Sequence, residues 1–219
     1  MSVWFDCADP VRRTEGLAAA VNAVLAGKLV VLPTDTVYGV GADAFSPTGV
    51  NRLLAAKGRG RDMPPPVLVG TVRAAEALVE DFGQDGRQLI EEFWPGGLTI
   101  VCHAARTLSW DLGDTKGTVA IRMPDQPTAL ELLRETGPMA VSSANTTGSA
   151  AATTAAEARD QLAESIEVYL DDGPCAGGMA STIVDLTGPQ ARLLRRGAVS
   201  VGRLREIAEI VSGADAELP

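Results

Sequence analysis

Apolar positions along this chain change period again and again. Leu17, Ala20, Val21, Val24 and Leu25 recur at three- and four-residue intervals, which predicts one buried helix face, and Gly27 stops the pattern before Lys28. The next block, Leu29-Val30-Val31-Leu32, is short and continuous and reads as a buried strand halted by Pro33. The same criteria predict helices at 50–57, 72–80, 85–93, 127–136, 154–164 and 201–211. They predict strands at 67–69, 98–102, 118–122, 138–142, 167–171, 181–186 and 192–195. Gly58 ends the 50–57 helix, and Thr154 with Glu157 has capping-box spacing. Alternating strands and helices point to an α/β layer fold, and several short connections make its sheet mixed rather than purely parallel. With no internal repeat and no low-complexity linker, residues 1–219 are expected to form a single domain with a core at about 15–205 and a flexible tail at 212–219.

Composition narrows the classes. The 219 residues can bury a substantial core, and 46% hydrophobic with 21% charged residues is ordinary for a soluble globular chain. No apolar run nears the roughly 20 residues of a membrane span, and Met1–Asp6 lacks the basic start and apolar block of a signal peptide. The expectation is a cytoplasmic protein with no membrane partner. Cys7, Cys102 and Cys175 are odd in number and far apart, which argues against a disulfide framework. His103 is the only histidine and closes the apolar run 98–102, so it reads as a strand-end side chain rather than a base or zinc ligand.

The charge balance is acidic, 28 Asp and Glu against 19 Lys and Arg, which disfavours broad nucleic-acid binding and leaves room for a local basic groove. Three of those cations stand together in Lys57-Gly58-Arg59-Gly60-Arg61. Glycine between cations would let backbone N–H groups approach a polyanion such as nucleotide phosphates; the alternative is a solvated charged loop. Three further stretches carry polar groups at strand ends. Pro33-Thr34-Asp35-Thr36-Val37-Tyr38-Gly39-Val40-Gly41-Ala42-Asp43 suits a polar pocket floor. Val141-Ser142-Ser143-Ala144-Asn145 delivers two hydroxyls and an amide to the carboxyl end of a strand, where α/β sheets bind ligands, without the Gly-x-Ser-x-Gly elbow of an acyl-serine enzyme. Ser181-Thr182-Ile183-Val184-Asp185 and Leu194-Arg195-Arg196-Gly197 are a strand with a polar start and a strand-end arginine pair.

In this order, and together with Pro95-Gly96-Gly97-Leu98-Thr99 and Arg122-Met123-Pro124, these stretches resemble the YrdC-like family, the L-threonylcarbamoyladenylate synthases, over about residues 15–205. The resemblance implies a single-domain YrdC-like fold: a twisted mixed β-sheet flanked by helices, with a concave ligand cleft, in the short form that has the catalytic domain only. It implies condensation of L-threonine, bicarbonate or CO2, and ATP to threonylcarbamoyl-AMP and pyrophosphate. It further implies Mg2+ bound mainly through the ATP phosphates with no protein metal site, transfer proteins that pass the product to tRNA beside the anticodon, and weak contact with tRNA itself. Carried over by motif, Lys57 and Arg59 would be catalytic phosphate contacts. Arg59, Thr118, Asn145, Thr153 and Arg195 would hold ATP, and Thr36, Arg122, Ser143 and Ser181 would hold threonine. Asp35 and Asp43 read as turn residues.

The chain departs from the family pattern after Arg59. The loop Gly60–Pro66 reads as about two residues longer, Met63 stands where Asn is expected, and Gly70 and Gln126 stand where His is expected, with Arg61 available to supply polar contact. Two other classes share the fold: a non-catalytic RNA-binding module, disfavoured by the acidity, and the carbamoyl-adenylate enzymes of hydrogenase maturation, disfavoured by the missing accessory segments.

Overall fold

The computed structural model describes residues 2–212. In chain order the elements are β1 (Val3–Asp6), α1 (Pro10–Leu25), β2 (Val30–Leu32), β3 (Gly39–Asp43), α2 (Pro47–Lys57), β4 (Val67–Leu68), α3 (Val72–Glu76) and α4 (Gly83–Phe93). They continue as β5 (Leu98–His103), β6 (Thr118–Arg122), α5 (Pro127–Thr136), β7 (Met139–Ser143), α6 (Ala155–Leu162), β8 (Val168–Asp171), β9 (Thr182–Asp185), β10 (Ala191–Arg195), α7 (Val201–Ile207) and β11 (Ile210–Ser212).

All eleven strands join one sheet in the order β1-β8-β2-β3-β7-β4-β6-β5-β9-β10-β11. The sheet is mixed: β3 and β7 pair antiparallel, as do β5 and β6, whereas β4–β6 and β5–β9 are parallel. Because side chains alternate across a strand, the apolar run of β2 is shared between two cores. Val30 and Leu32 pack with Leu17, Ala20 and Val24 of α1 and with Leu132 and Leu133 of α5. Val31 packs on the opposite face with Leu53 and Leu54 of α2 and with Ala158 and Leu162 of α6. Helices therefore cover both faces, and a run that is apolar at every position is what such a strand needs.

The helix ends follow local chemistry. Pro10 and Pro47 open α1 and α2 behind the caps Asp9 and Ser46. The Thr154–Glu157 capping box forms as the spacing predicts. Gly58 is the left-handed cap of α2, with φ +64° and its N–H bonded to Ala55 and Leu54 oxygens. It terminates a helix, so the glycine has a reason other than close approach to a ligand.

Four readings need correction. β1, β3 and β11 are strands that the hydrophobic pattern does not predict. The helix expected over 201–211 stops at Ile207, and Ile210–Ser212 pairs in parallel with β10. The helix expected over 72–80 stops at Glu76, after which Val79 bridges Ala104. The tail expected at 212–219 loses Ser212 to β11, and 213–219 lie outside the described residues. Elsewhere the predicted elements stand within a few residues. The three cysteines are free, and His103 ends β5, exposed, with its Nε2 3.2 Å from the Thr187 carbonyl.

Candidate functional site

Near the middle of the sheet the strands open into a cleft of about 430 Å³. Its walls come from four distant segments, 34–39, 59–68, 99–122 and 141–151, closed by 180–195. Six of the expected site residues meet there: Thr36, Arg59, Arg122, Ser143, Ser181 and Arg195. The hydroxyl of Thr99, which closes the Pro95–Thr99 motif but carries no predicted role there, belongs with them; it lies 2.7 Å from Ser181 Oγ. Strand alternation could have found it, since Thr99 is the one polar side chain inside the otherwise apolar run of β5.

The glycines of β3 serve packing. A side chain at Gly39 or Gly41 would place Cβ 2.7 or 2.8 Å from a methyl of Val141 on the neighbouring β7. Val141 fills that space, and β7 can then present Ser142 and Ser143 at its carboxyl end.

The three clustered cations part company. Lys57 is buried, only 1% exposed, and does not line the cleft. Its ammonium donates to the carbonyl oxygens of Ser143 (2.5 Å) and Asn145 and to Asn145 Oδ1 (3.2 Å). With the ammonium surrounded by these oxygen acceptors, Lys57 holds the 143–147 loop in place. Burial and the neighbouring Arg59 draw its pKa down to about 8. Arg59 alone of the three faces the cleft, donating to Ser142 Oγ (3.2 Å) and Thr147 Oγ1 (3.2 Å). Arg61 turns outward into an exposed fork on Asp111, at 2.6 and 3.1 Å, so it supplies no polar contact inside.

On the facing wall, Arg122 is buried and fully directed. Its Nε donates to Gly96 O (2.9 Å), Nη1 to Thr36 Oγ1 (2.8 Å) and Nη2 to the Asp35 carboxylate. Arg195 donates from Nε and Nη2 to Ser181 O (3.0 and 2.8 Å), and from Nη2 to Ser181 Oγ (3.1 Å). Burial and the charges of Arg122 and Arg59 pull its pKa below the usual range. Among the described residues neither Arg59 nor Arg195 has a carboxylate partner, whereas Arg122 does. Two guanidiniums without a carboxylate partner in one cleft constitute an anion-binding arrangement.

The remaining expected contacts, Thr118, Asn145 and Thr153, do not line the cleft. Thr118 shares a face of β6 with Ala120 and Arg122, but beyond the lined region, and its hydroxyl donates to Thr115 O at 2.8 Å. Asn145 is buried beneath the loop, its Nδ2 donating to Thr146 and Ser149 carbonyls. Thr153 donates its hydroxyl to Glu157 at the start of α6. The family departures also resolve. Gly70 lies outside the cleft against α5, where a Cβ would meet the Arg134 nitrogen at 2.9 Å, so no side chain fits there. The residue of β4 that does line the cleft is Leu68, alongside Met63, Pro64 and Pro66, which makes this wall apolar. Gln126 caps α5, accepting from Ala129 N and donating to Asp172 at 2.6 Å. Asp43 takes the local role expected of a turn residue, accepting from Phe45 N at 2.8 Å, whereas Asp35, read as a turn residue, accepts from Arg122 and from Asp125 N, 87 and 90 positions away. Among the described residues no three His, Cys, Asp or Glu side chains cluster as metal ligands.

The chain is similar to several known proteins. The family model for Sua5/YciO/YrdC proteins, described as telomere recombination, matches residues 22–197. A protein of Mycobacterium tuberculosis H37Rv, provisionally named threonylcarbamoyl-AMP synthase, is 55% identical over 94% of this chain and 95% of its own length. The threonylcarbamoyl-AMP synthase of Bacillus subtilis is 34% identical over 93% of this chain and 60% of its own. Among solved structures, Pyrococcus abyssi Sua5 in complex with L-threonine superposes with a TM-score of 0.86 at 31% identity, covering 96% of this chain and 62% of that one. Escherichia coli YciO shares the fold, with a TM-score of 0.80 at 21% identity over 92% of this chain and 98% of that one.

Proposed function

The chain belongs to the Sua5/YciO/YrdC family, and from that premise we propose that it is a threonylcarbamoyl-AMP synthase, joining L-threonine, bicarbonate or CO2, and ATP. The observation that carries the reading is the convergence of Arg59, Arg122 and Arg195 on one hydroxyl-lined cleft in a chain whose net charge is -9.

The reaction needs positioning and charge more than a protein nucleophile. The threonine amine adds to CO2, forming an N–C bond and losing a proton to give a carbamate. A carbamate oxygen then attacks the α-phosphorus, an O–P bond forms, and the bond to the leaving pyrophosphate breaks. The carbamate, with its carboxylate, and the triphosphate are both anionic, so arginines fixed before the reactants arrive both hold like charges together and stabilise charge on the phosphate oxygens. Arg59 and Arg195 are assigned to the triphosphate, and Thr118, Asn145 and Thr153 to the nucleotide side. Thr36, Arg122, Ser143 and Ser181 are assigned to threonine. Lys57 contributes indirectly, by fixing the loop that carries Ser143 and Asn145. Mg2+ enters as part of the substrate MgATP, bound mainly through the phosphate oxygens. The product would pass to proteins that transfer the threonylcarbamoyl group to tRNA; weak tRNA contact by this chain belongs to the same reading.

The purified protein should release pyrophosphate from MgATP and bicarbonate when threonine is supplied. No release with threonine, under conditions where the protein is folded, would sink the reading. Release independent of any amino acid would point instead to an ATP hydrolase.

A further inference from the structure

Among the described residues, Arg122 and Asp35 form the one guanidinium–carboxylate pair of the three cleft arginines. A guanidinium carries five N–H donors. Three of those on Arg122 are committed, to Gly96 O, Thr36 Oγ1 and Asp35, which leaves two for a ligand. Two N–H groups of one planar fork match a single carboxylate. The Asp35 carboxylate does not line the cleft; it stands behind the guanidinium, 81% shielded from solvent, and also accepts from Asp125 N at 3.0 Å. Its main chain is held too, because Gly177 packs so closely that a Cβ there would meet Asp35 O at 2.7 Å. A carboxylate so fixed both orients Arg122 and cancels its charge.

We propose that Asp35 is a positioning residue that divides the cleft between two kinds of anion. It reserves Arg122 for the single carboxylate of the amino-acid substrate and leaves the uncompensated Arg59 and Arg195 to the polyphosphate. This rests on the proposed function and adds to it a reason why three arginines lining one cleft do not act as a single polyanion trap. A triphosphate drawn toward Arg122 meets the negative charge of Asp35 close behind it. A monoanionic carboxylate loses far less by that repulsion and gains a fixed, planar pair of donors.

The test compares wild type with Asp35→Asn and Asp35→Glu, using tripolyphosphate as the polyanion probe. In wild type, tripolyphosphate should compete with ATP and leave the threonine KM unchanged. In Asp35→Asn the threonine KM should rise at least tenfold, the ATP KM should stay within about twofold, and tripolyphosphate should begin to compete with threonine. Asp35→Glu, which keeps the charge, should recover most of the threonine KM and the wild-type inhibition pattern. Calorimetric titration of threonine and tripolyphosphate provides a second arm that needs no turnover: Asp35→Asn should bind threonine more weakly and tripolyphosphate more tightly. Equal losses for both substrates, equal losses in both variants, or an unchanged inhibition pattern would each overturn the assignment and leave Asp35 a turn residue. Wild type that releases no pyrophosphate with threonine would count against the proposed function, while the binding arm would still decide the role of Asp35.

Discussion

A buried ammonium with only oxygens of neutral groups around it is an unusual thing for a protein to keep, and Lys57 shows what it is for. Removing the amine leaves the carbonyls of Ser143 and Asn145 without their donor. Lys57→Met should therefore destabilise the fold by roughly 1–3 kcal/mol, read from urea midpoints, and loosen the loop that carries Ser143. The pH dependence has a definite sign. An unfolded lysine keeps its proton to about 10.5, whereas Lys57 loses it at about 8. Between those values the unfolded chain binds more protons, so this residue makes stability rise with pH; below 8 the full penalty of burying the charge remains. The thiols of Cys7 and Cys102, pushed up to about 12 by burial, act in the opposite sense. The stability difference between wild type and Lys57→Met should accordingly grow from pH 8 to 10, and a flat difference would show a lysine titrating normally. For Arg59→Ala and Arg195→Ala the fold should survive and kcat/KM should drop about a hundredfold or more. Arg195→Ala should weaken both substrates, since Arg195 also holds Ser181, and Arg59→Ala chiefly ATP.

At the scale of elements, the antiparallel pair β3 and β7 forms the floor on which the site is built. Gly41→Ala would set a methyl 2.8 Å from Val141 and 3.0 Å from Met139, an overpacking that should cost about 1–3 kcal/mol. Adding Val141→Ala should recover part of it; strictly additive losses in a double-mutant cycle would show that the two do not compete for the same space. Thr154→Ala removes the cap of α6 and should lower the melting temperature by about 2–4 °C, for a loss near 1 kcal/mol. The same elements explain what could be read in advance. Helices and strands with a clear apolar period, such as α1, α5, β5 and β6, were legible because periodicity reports burial directly. β3 was not, because two glycines hide its burial in a neighbour's side chain, Val141. β11 was hidden because Ile207, Ile210 and Val211 continue a helical spacing that the chain abandons at Ala208. At the site, motifs located six of the ten expected residues in the cleft, yet could not foresee that Lys57, Arg59 and Arg61 point three ways. That outcome depends on which acceptors each side chain meets, and those acceptors lie about 50 to 90 positions away in sequence.

For the molecule as a whole, an acidic surface surrounds a cationic cleft. Attraction of MgATP should depend on two arginines against a net charge of -9, so the KM for ATP should rise with ionic strength while threonine, gripped by a compensated pair, responds less.

The order of strands has one more consequence. No wall of the cleft neighbours another in sequence: residues 36, 59, 122, 143 and 195 are brought together only when long stretches of chain have been closed. Closing them loses entropy that no single wall repays. A nucleotide that bridges the walls thus recognises only the completed assembly, and at a hundred times its Kd it should stabilise the entire molecule by about 2.7 kcal/mol. Protease digestion with and without MgATP should show protection across all strands together, including β1 at the far edge. Where the nucleotide is plentiful, the substrate itself would then act as an inspector of assembly, retaining whole molecules and leaving fragments that lack β9 and β10 with nothing to hold.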